Sequence, residues 1–213
     1  GDYSQFYIEG GQSYQPVEYT IESDWSAATT IMVAAAIAGE VTIKNISTLS
    51  RQADTAICRA LERAGASLII EENTITVAHR KLEAFEFDAT QCPDLFPALV
   101  ALAAAADGVS VISGIGRLRG KESDRGEVLS AEYSKLGIDI ELDYDADQMR
   151  VVGGPVTAAE VDSHDDHRIA MSLAITALRT DEKITIRNQE CVAKSYPSFF
   201  DDLESLRAGY CDK

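Results

Sequence analysis

Three glycines, Gly65, Gly137 and Gly209, stand 72 residues apart, each at the end of a helix-like segment (55–64, 124–136 and 198–208). A glycine just past a periodic apolar stretch is a helix stop, because it takes the left-handed conformation without a Cβ penalty. A stop signal at a fixed interval marks an internal repeat. The flanking text repeats as well. Each unit opens with a short strand-like run (18–21, 85–87, 159–161) and an acidic turn holding Asp24, Asp94 or Asp165-Asp166. An Ala-rich helix follows (27–38, 95–106, 169–178), then a β-branched strand (41–43, 109–112, 184–186) and the helix that the glycine closes. Units one and two end in hairpins, 67–70 with 74–77 and 138–142 with 149–152; the third has none.

The Ala-rich helices are apolar on nearly every face, so they are expected at the centre of the molecule. The predicted fold is α/β (layered α+β), with three βαβαββ-type repeats around buried Ala-rich helices. The repeats cover about 18–80, 83–153 and 158–213 within one domain, 18–213, and residues 1–17 belong to no repeat. The chain starts at Gly1 rather than Met. Either a tag was removed or the chain begins inside a larger protein.

Composition matters for what it excludes. Lys and Arg number 19 against 35 Asp and Glu, a net charge of −16, which argues against a nucleic-acid partner. Cys58, Cys92, Cys191 and Cys211 form no CxxC pair and read as reduced thiols of a cytoplasmic protein. The longest apolar runs, 31–38 and 98–106, are too short to span a bilayer, and no membrane partner is expected.

Against this acidity, Arg117 to Arg125 packs four cations and two carboxylates into nine residues. A solvated turn is one reading and an anion-binding loop is another. The repeat places the cluster at a helix N-terminus, like Arg51 and the Lys194-Ser195-Tyr196-Pro197 run before the other outer helices. Asp24, Asp94 and the His164–Arg168 run begin the buried helices. Free N–H groups and the helix dipole attract anions at such ends and repel cations, so cations gathered there suggest an anion between them. Plainer roles stand beside this one. Asp24, Ser26, Asp94 and Ser123 suit helix caps, and Pro197 suits a first turn. His164 and His167 lack a third ligand set, so no metal is expected.

Leu118-Arg119-Gly120-Lys121-Glu122-Ser123-Asp124-Arg125 closely resembles the LRxKESDR signature of the 5-enolpyruvylshikimate-3-phosphate synthase family, the 3-phosphoshikimate 1-carboxyvinyltransferases. Pro93-Asp94, Asp166-His167-Arg168-Ile169-Ala170-Met171 and Lys194-Ser195-Tyr196-Pro197 match in the same order, as do residues 5–14 and 21–24. The similarity runs from about residue 5 to 206. The sister family acting on a UDP-amino sugar does not look like this around the charged loops.

The resemblance implies a two-domain enolpyruvyl transferase fold with the active site between the domains, of which this chain is the C-terminal half and residues 1–17 the tail of the missing N-terminal domain and the crossover. It therefore looks like a truncated chain, a cleavage product or a half enzyme. The implied reaction moves the carboxyvinyl group of phosphoenolpyruvate to the 5-hydroxyl of shikimate 3-phosphate and releases phosphate, with no cofactor or metal. By motif match, Asp94 accepts the hydroxyl proton and Glu122 donates a proton to the methylene carbon. Arg125, Arg168 and Lys194 bind phosphoenolpyruvate; Lys121 and Asp94 contact shikimate 3-phosphate; His167 supports. Arg117 replaces a common Asn and is a further candidate for the shikimate phosphate. Gly120 replaces a frequent Val, which should loosen the loop. The implied partner is the missing N-terminal domain, and the chain alone is expected to be inactive. The rival readings are a non-catalytic interaction module and a carboxyvinyl transferase for another acceptor sugar.

Overall fold

The computed structural model describes residues 4–211, with 207–211 described as helix backbone. The first three residues of the expected N-terminal tail and the last two of the third repeat lie outside the described residues. Unit one comprises α1 (Trp25–Ala38), β1 (Glu40–Lys44), α2 (Ile57–Arg63), β2 (Ser67–Glu71) and β3 (Thr74–Ala78). Unit two comprises β4 (Glu86–Asp88), α3 (Phe96–Ala105), β5 (Val109–Ser113), α4 (Arg125–Lys135), β6 (Asp139–Asp143) and β7 (Gln148–Val152). Unit three has β8 (Ala159–Asp162), α5 (His167–Thr176), β9 (Ile184–Arg187) and α6 (Phe199–Cys211).

The Ala-rich helices α1, α3 and α5 pack against one another at the centre. In α3 every residue from Phe96 to Ala104 is buried, and nine of its neighbours in α5, His167 and Ile169–Thr176, are buried too. Small side chains suit such crowding, since they let helix axes approach while leaving no polar group to satisfy. The sheets lie outside this centre. Strand orders are β1-β3-β2, β4-β5-β7-β6 and β8-β9, with β4 parallel to β5, β8 parallel to β9, and the hairpins antiparallel.

The glycine stops at 65 and 137 have one mechanism. Gly65 and Gly137 sit at φ +85° and +84°, and the next amides, of Ala66 and Ile138, return to the carbonyls of Leu61 and Tyr133, each at 3.0 Å. The glycine amides themselves bond Glu62 and Ser134, completing a Schellman closure. Gly209 differs from the expectation. Helix α6 continues through it to Cys211, because glycine also accepts helical angles.

A second difference concerns the opening strand of unit one. Residues 18–21 form no strand, and Tyr19 and Ile21 are 76% and 85% exposed. The equivalent β4 and β8 are each held by a parallel neighbour, whereas β1 is bonded only to β3. Without a ladder, extended backbone satisfies its polar groups with water instead. Among the described residues, no helix is long and apolar enough to cross a membrane.

Candidate active site

Three helix N-termini supply the charged groups. Asp24 caps α1 through the amide of Ser26 at 2.8 Å, and Asp166 caps α5 through the amide of Arg168 at 3.0 Å. Asp94 lies in a short 3₁₀ turn, Pro93–Leu95, that runs into α3, and its side chain makes no cap bond. It points instead to the residues at the start of α4.

Arg125, the first residue of α4, is the hub. Its side chain is 1% exposed, yet it is surrounded by carboxylates. Nη1 donates to Asp94 Oδ1 at 2.6 Å, and Nη2 to Glu122 Oε2 at 2.6 Å. Nε donates to Asp166 Oδ2 at 2.7 Å, and Nη2 reaches Asp166 Oδ1 at 3.3 Å. A planar guanidinium suits this task because its donors form a rigid fork. Asp166 is fully buried and also accepts the Ser123 hydroxyl at 3.1 Å. Burial would raise the Asp166 pKa, but bonding and charge from Arg125 outweigh it and hold the carboxyl below its ordinary value.

Asp94 gathers three cations. Besides Arg125, Lys121 Nζ approaches Oδ1 at 3.3 Å and Arg168 Nη2 approaches Oδ2 at 3.7 Å. Burial again pushes its pKa upward; Arg168, Arg125 and Lys121 together prevail and keep it ionised. Lys121, Arg125 and Arg168 are thus matched by Asp94, Glu122 and Asp166.

The remaining sequence candidates fall at different distances from this hub. His167 is 7% exposed, and its Nδ1 is buried without a hydrogen-bond partner among the described residues. Burial, then the neighbouring Arg168, lowers its pKa, so the ring is held neutral at pH 7. Lys194 ends a 3₁₀ turn, Gln189–Lys194, and donates to the carbonyl of Asp165 at 2.6 Å, beside the α5 N-terminus. Arg117 is exposed and makes no ion pair among the described residues. Arg119 lies over the Tyr144 ring at 4.4 Å, which explains it as support for the loop. Gly120 adopts φ +77°, a conformation that a valine there would strain.

Two participants were missed in the sequence. Asp166 is expected only within the His164–Arg168 run that begins a buried helix, whereas the structure makes it the buried anchor of Arg125; its N-cap position, equivalent to Asp24, is the available signal. Asp54 lies in a 3₁₀ turn, Ala53–Ala56, ahead of α2. Burial raises its pKa, Arg168 opposes the rise, and Asp94 and Asp24 reinforce it, so these charges share one region. No spacing or motif pointed to it. His164 and Asp165 have φ of +51° and +58°, which turns the chain so that the Asp165 carbonyl meets Lys194. His164 bonds the buried Glu132 at 3.0 Å, and no cluster of metal-ligating residues occurs among the described residues.

Comparison with known proteins follows the same residues. A sequence model for EPSP synthase (3-phosphoshikimate 1-carboxyvinyltransferase) matches residues 1–203. The 3-phosphoshikimate 1-carboxyvinyltransferase of Clostridium perfringens (strain SM101) is 40% identical over 208 residues, covering 96% of this chain and 48% of that protein. The chain therefore spans about half the length of the curated relatives it matches. The solved EPSP synthase of Acinetobacter baumannii superposes with a TM-score of 0.77 at 33% identity, over 85% of this chain and 45% of that one. The enolpyruvyl transferase NikO from Streptomyces tendae shares the fold, with a TM-score of 0.66 at 22% identity over 90% of this chain and 44% of that one.

Proposed function

The chain belongs to the EPSP synthase (3-phosphoshikimate 1-carboxyvinyltransferase) family, and from that premise we propose that it is the half of such an enzyme that carries the proton-transfer carboxylates. The observation that carries this reading is the meeting of Asp94 and Glu122 on one guanidinium, each at 2.6 Å. Two carboxylates placed together can serve two proton transfers of one reaction.

In the proposed reaction the 5-hydroxyl oxygen of shikimate 3-phosphate bonds to C2 of phosphoenolpyruvate. Asp94 takes the hydroxyl proton, and Glu122 delivers a proton to the methylene carbon, which becomes a methyl group. Glu122, now unprotonated, takes a proton back from that methyl as the C2–O bond to phosphate breaks, and the departing phosphate receives the proton held by Asp94. The vinyl ether and inorganic phosphate remain. The atoms balance without a cofactor.

Both substrates are polyanions, and the ion pairs supply a reason for order. Arg125, Arg168 and Lys194 receive phosphoenolpyruvate. To do so Arg125 exchanges a protein carboxylate for the substrate's, and Lys194 leaves the Asp165 carbonyl. That exchange also releases Glu122 from Arg125 to face the methylene carbon. Lys121 contacts shikimate 3-phosphate together with Asp94, and the uncommitted Arg117 is available to its phosphate. His167, neutral and buried beside Arg168, supports that arginine.

The other wall of the cleft comes from the half of the relatives that this chain does not cover, and that half is its partner. The free thiols Cys58, Cys92 and Cys191 suit a cytoplasmic enzyme. A phosphate-release assay with phosphoenolpyruvate and shikimate 3-phosphate tests the reading. We expect no turnover from the 213-residue chain alone, and turnover when it is joined to or mixed with the remaining half of the enzyme. Turnover by the chain alone, or none from the joined protein, would count against it.

A further inference from the structure

We propose that Ser123 is a positioning residue, whose hydroxyl clips the loop carrying Lys121 and Glu122 to the buried Asp166 and so sets where those two groups stand. The inference rests on the functional reading above. Residues 118–124 form neither helix nor strand, so the loop's position depends on its side chains. Leu118 is buried at its start, and four side-chain contacts tie down the rest: Arg119 on Tyr144, Lys121 on Asp94, Glu122 on Arg125, and Ser123 on Asp166. Two of these, at Lys121 and Glu122, must open for substrate binding or proton transfer. The Arg119 contact lies on an exposed aromatic ring. Ser123 remains, and it is neutral.

Its acceptor is well suited to be an anchor. Asp166 is fully buried, is held by Arg125 Nε at 2.7 Å, and caps α5. The Ser123 bond ends on Oδ2, the oxygen shared with Arg125 Nε, while Oδ1 serves the α5 amide. The clip therefore joins the loop, the α4 N-terminus and the α5 N-terminus through one rigid carboxylate. Ser123 occupies no cap position of its own: Asp124 flanks α4, with no side-chain cap bond. Its hydroxyl is left for this single task. Without the clip, Leu118 and Arg119 still fix the start of the loop, but Lys121 and Glu122 are held only by the contacts that catalysis breaks.

The test uses Ser123→Ala and Ser123→Thr. In the 213-residue chain, amide hydrogen exchange across 119–124 is expected to accelerate about tenfold or more in Ser123→Ala, as loss of a hydrogen bond to a charged group predicts. Exchange in α3 and α5 should stay unchanged, and Thr, which keeps the hydroxyl, should restore the loop to within about twofold. In the whole enzyme, Ser123→Ala should lower kcat about tenfold with a smaller change in the KM for phosphoenolpyruvate. Loop exchange unaffected by Ser123→Ala, failure of Thr to restore it, or a looser loop with kcat unchanged would each overturn the proposal. A wild-type enzyme with no carboxyvinyl transfer would overturn the functional reading instead, and the exchange data separate the two failures.

Discussion

Removing the Asp166 carboxylate is the perturbation whose effect the structure specifies most fully. In Asp166→Ala, Arg125 loses its bonds at 2.7 and 3.3 Å, α5 loses its cap at 3.0 Å, and Ser123 loses its acceptor. Breaking a fully buried ion pair by deleting one partner costs about 3–5 kcal/mol. An N-cap alone is worth about 1 kcal/mol. These terms overlap, and Arg125 keeps Asp94 and Glu122, so a net loss of about 3–4 kcal/mol is expected. For a chain of this size that lowers Tm by roughly 6–16 °C. Asp166→Asn keeps the cap acceptor and the shape but not the charge, and should lose about half as much. Urea unfolding of the isolated chain, followed by circular dichroism, measures both. Linkage sets the pH dependence. The folded Asp166 pKa lies below the unfolded 3.8, so its stabilisation is present above that pH and is lost as pH falls through the folded value. Wild type and Asp166→Asn should therefore differ at pH 7 and converge in acid. A stability of Asp166→Ala within about 1 kcal/mol of wild type at pH 7 would refute the hub as described.

Other expectations follow from the same contacts. In the whole enzyme, Lys121→Ala and Arg168→Ala should each reduce kcat/KM by about 10²–10⁴ without shifting the unfolding midpoint by more than a few degrees. Near-normal kinetics in either would contradict the substrate assignments. Gly137→Ala should cost about 1–2 kcal/mol in urea unfolding, because φ +84° forces the new Cβ against its own backbone. An unchanged midpoint would show that α4 can end without the left-handed residue.

Much of this arrangement was legible before any coordinates. The Ala-rich stretches read as buried because no face of them is polar, and Gly65 and Gly137 read as stops because the chain turns back into strands directly after them. Asp94, Lys121, Glu122, Arg125 and Arg168 come from three separate motifs of one resemblance and do come together. Less legible were features decided by partners distant in sequence. Residues 18–21 have strand composition, but composition does not supply a bonded neighbour. Gly209 is a stop residue by type, yet its backbone runs on within α6. Asp166 and Ser123 form their bond across 43 residues, and although the N-cap position marks Asp166, no spacing marks Ser123 as its partner. Asp54 enters the region only because the turn before α2 folds back toward the central helix ends. Arg117 was grouped with the cluster by proximity in sequence; its place at the end of the 3₁₀ turn Ile115–Arg117 leaves it outside the ion-pair network.

The central claim is that Glu122, freed from Arg125, protonates the methylene carbon of phosphoenolpyruvate. Turnover in deuterium oxide tests it most directly, since a methyl intermediate formed with a solvent deuteron can return either isotope and leave deuterium in the product's methylene group. The whole enzyme is expected to incorporate deuterium, and Glu122→Gln to lose turnover and incorporation by about 10²–10⁴ while still binding phosphoenolpyruvate. Incorporation by Glu122→Gln within about tenfold of the wild-type rate would contradict the account.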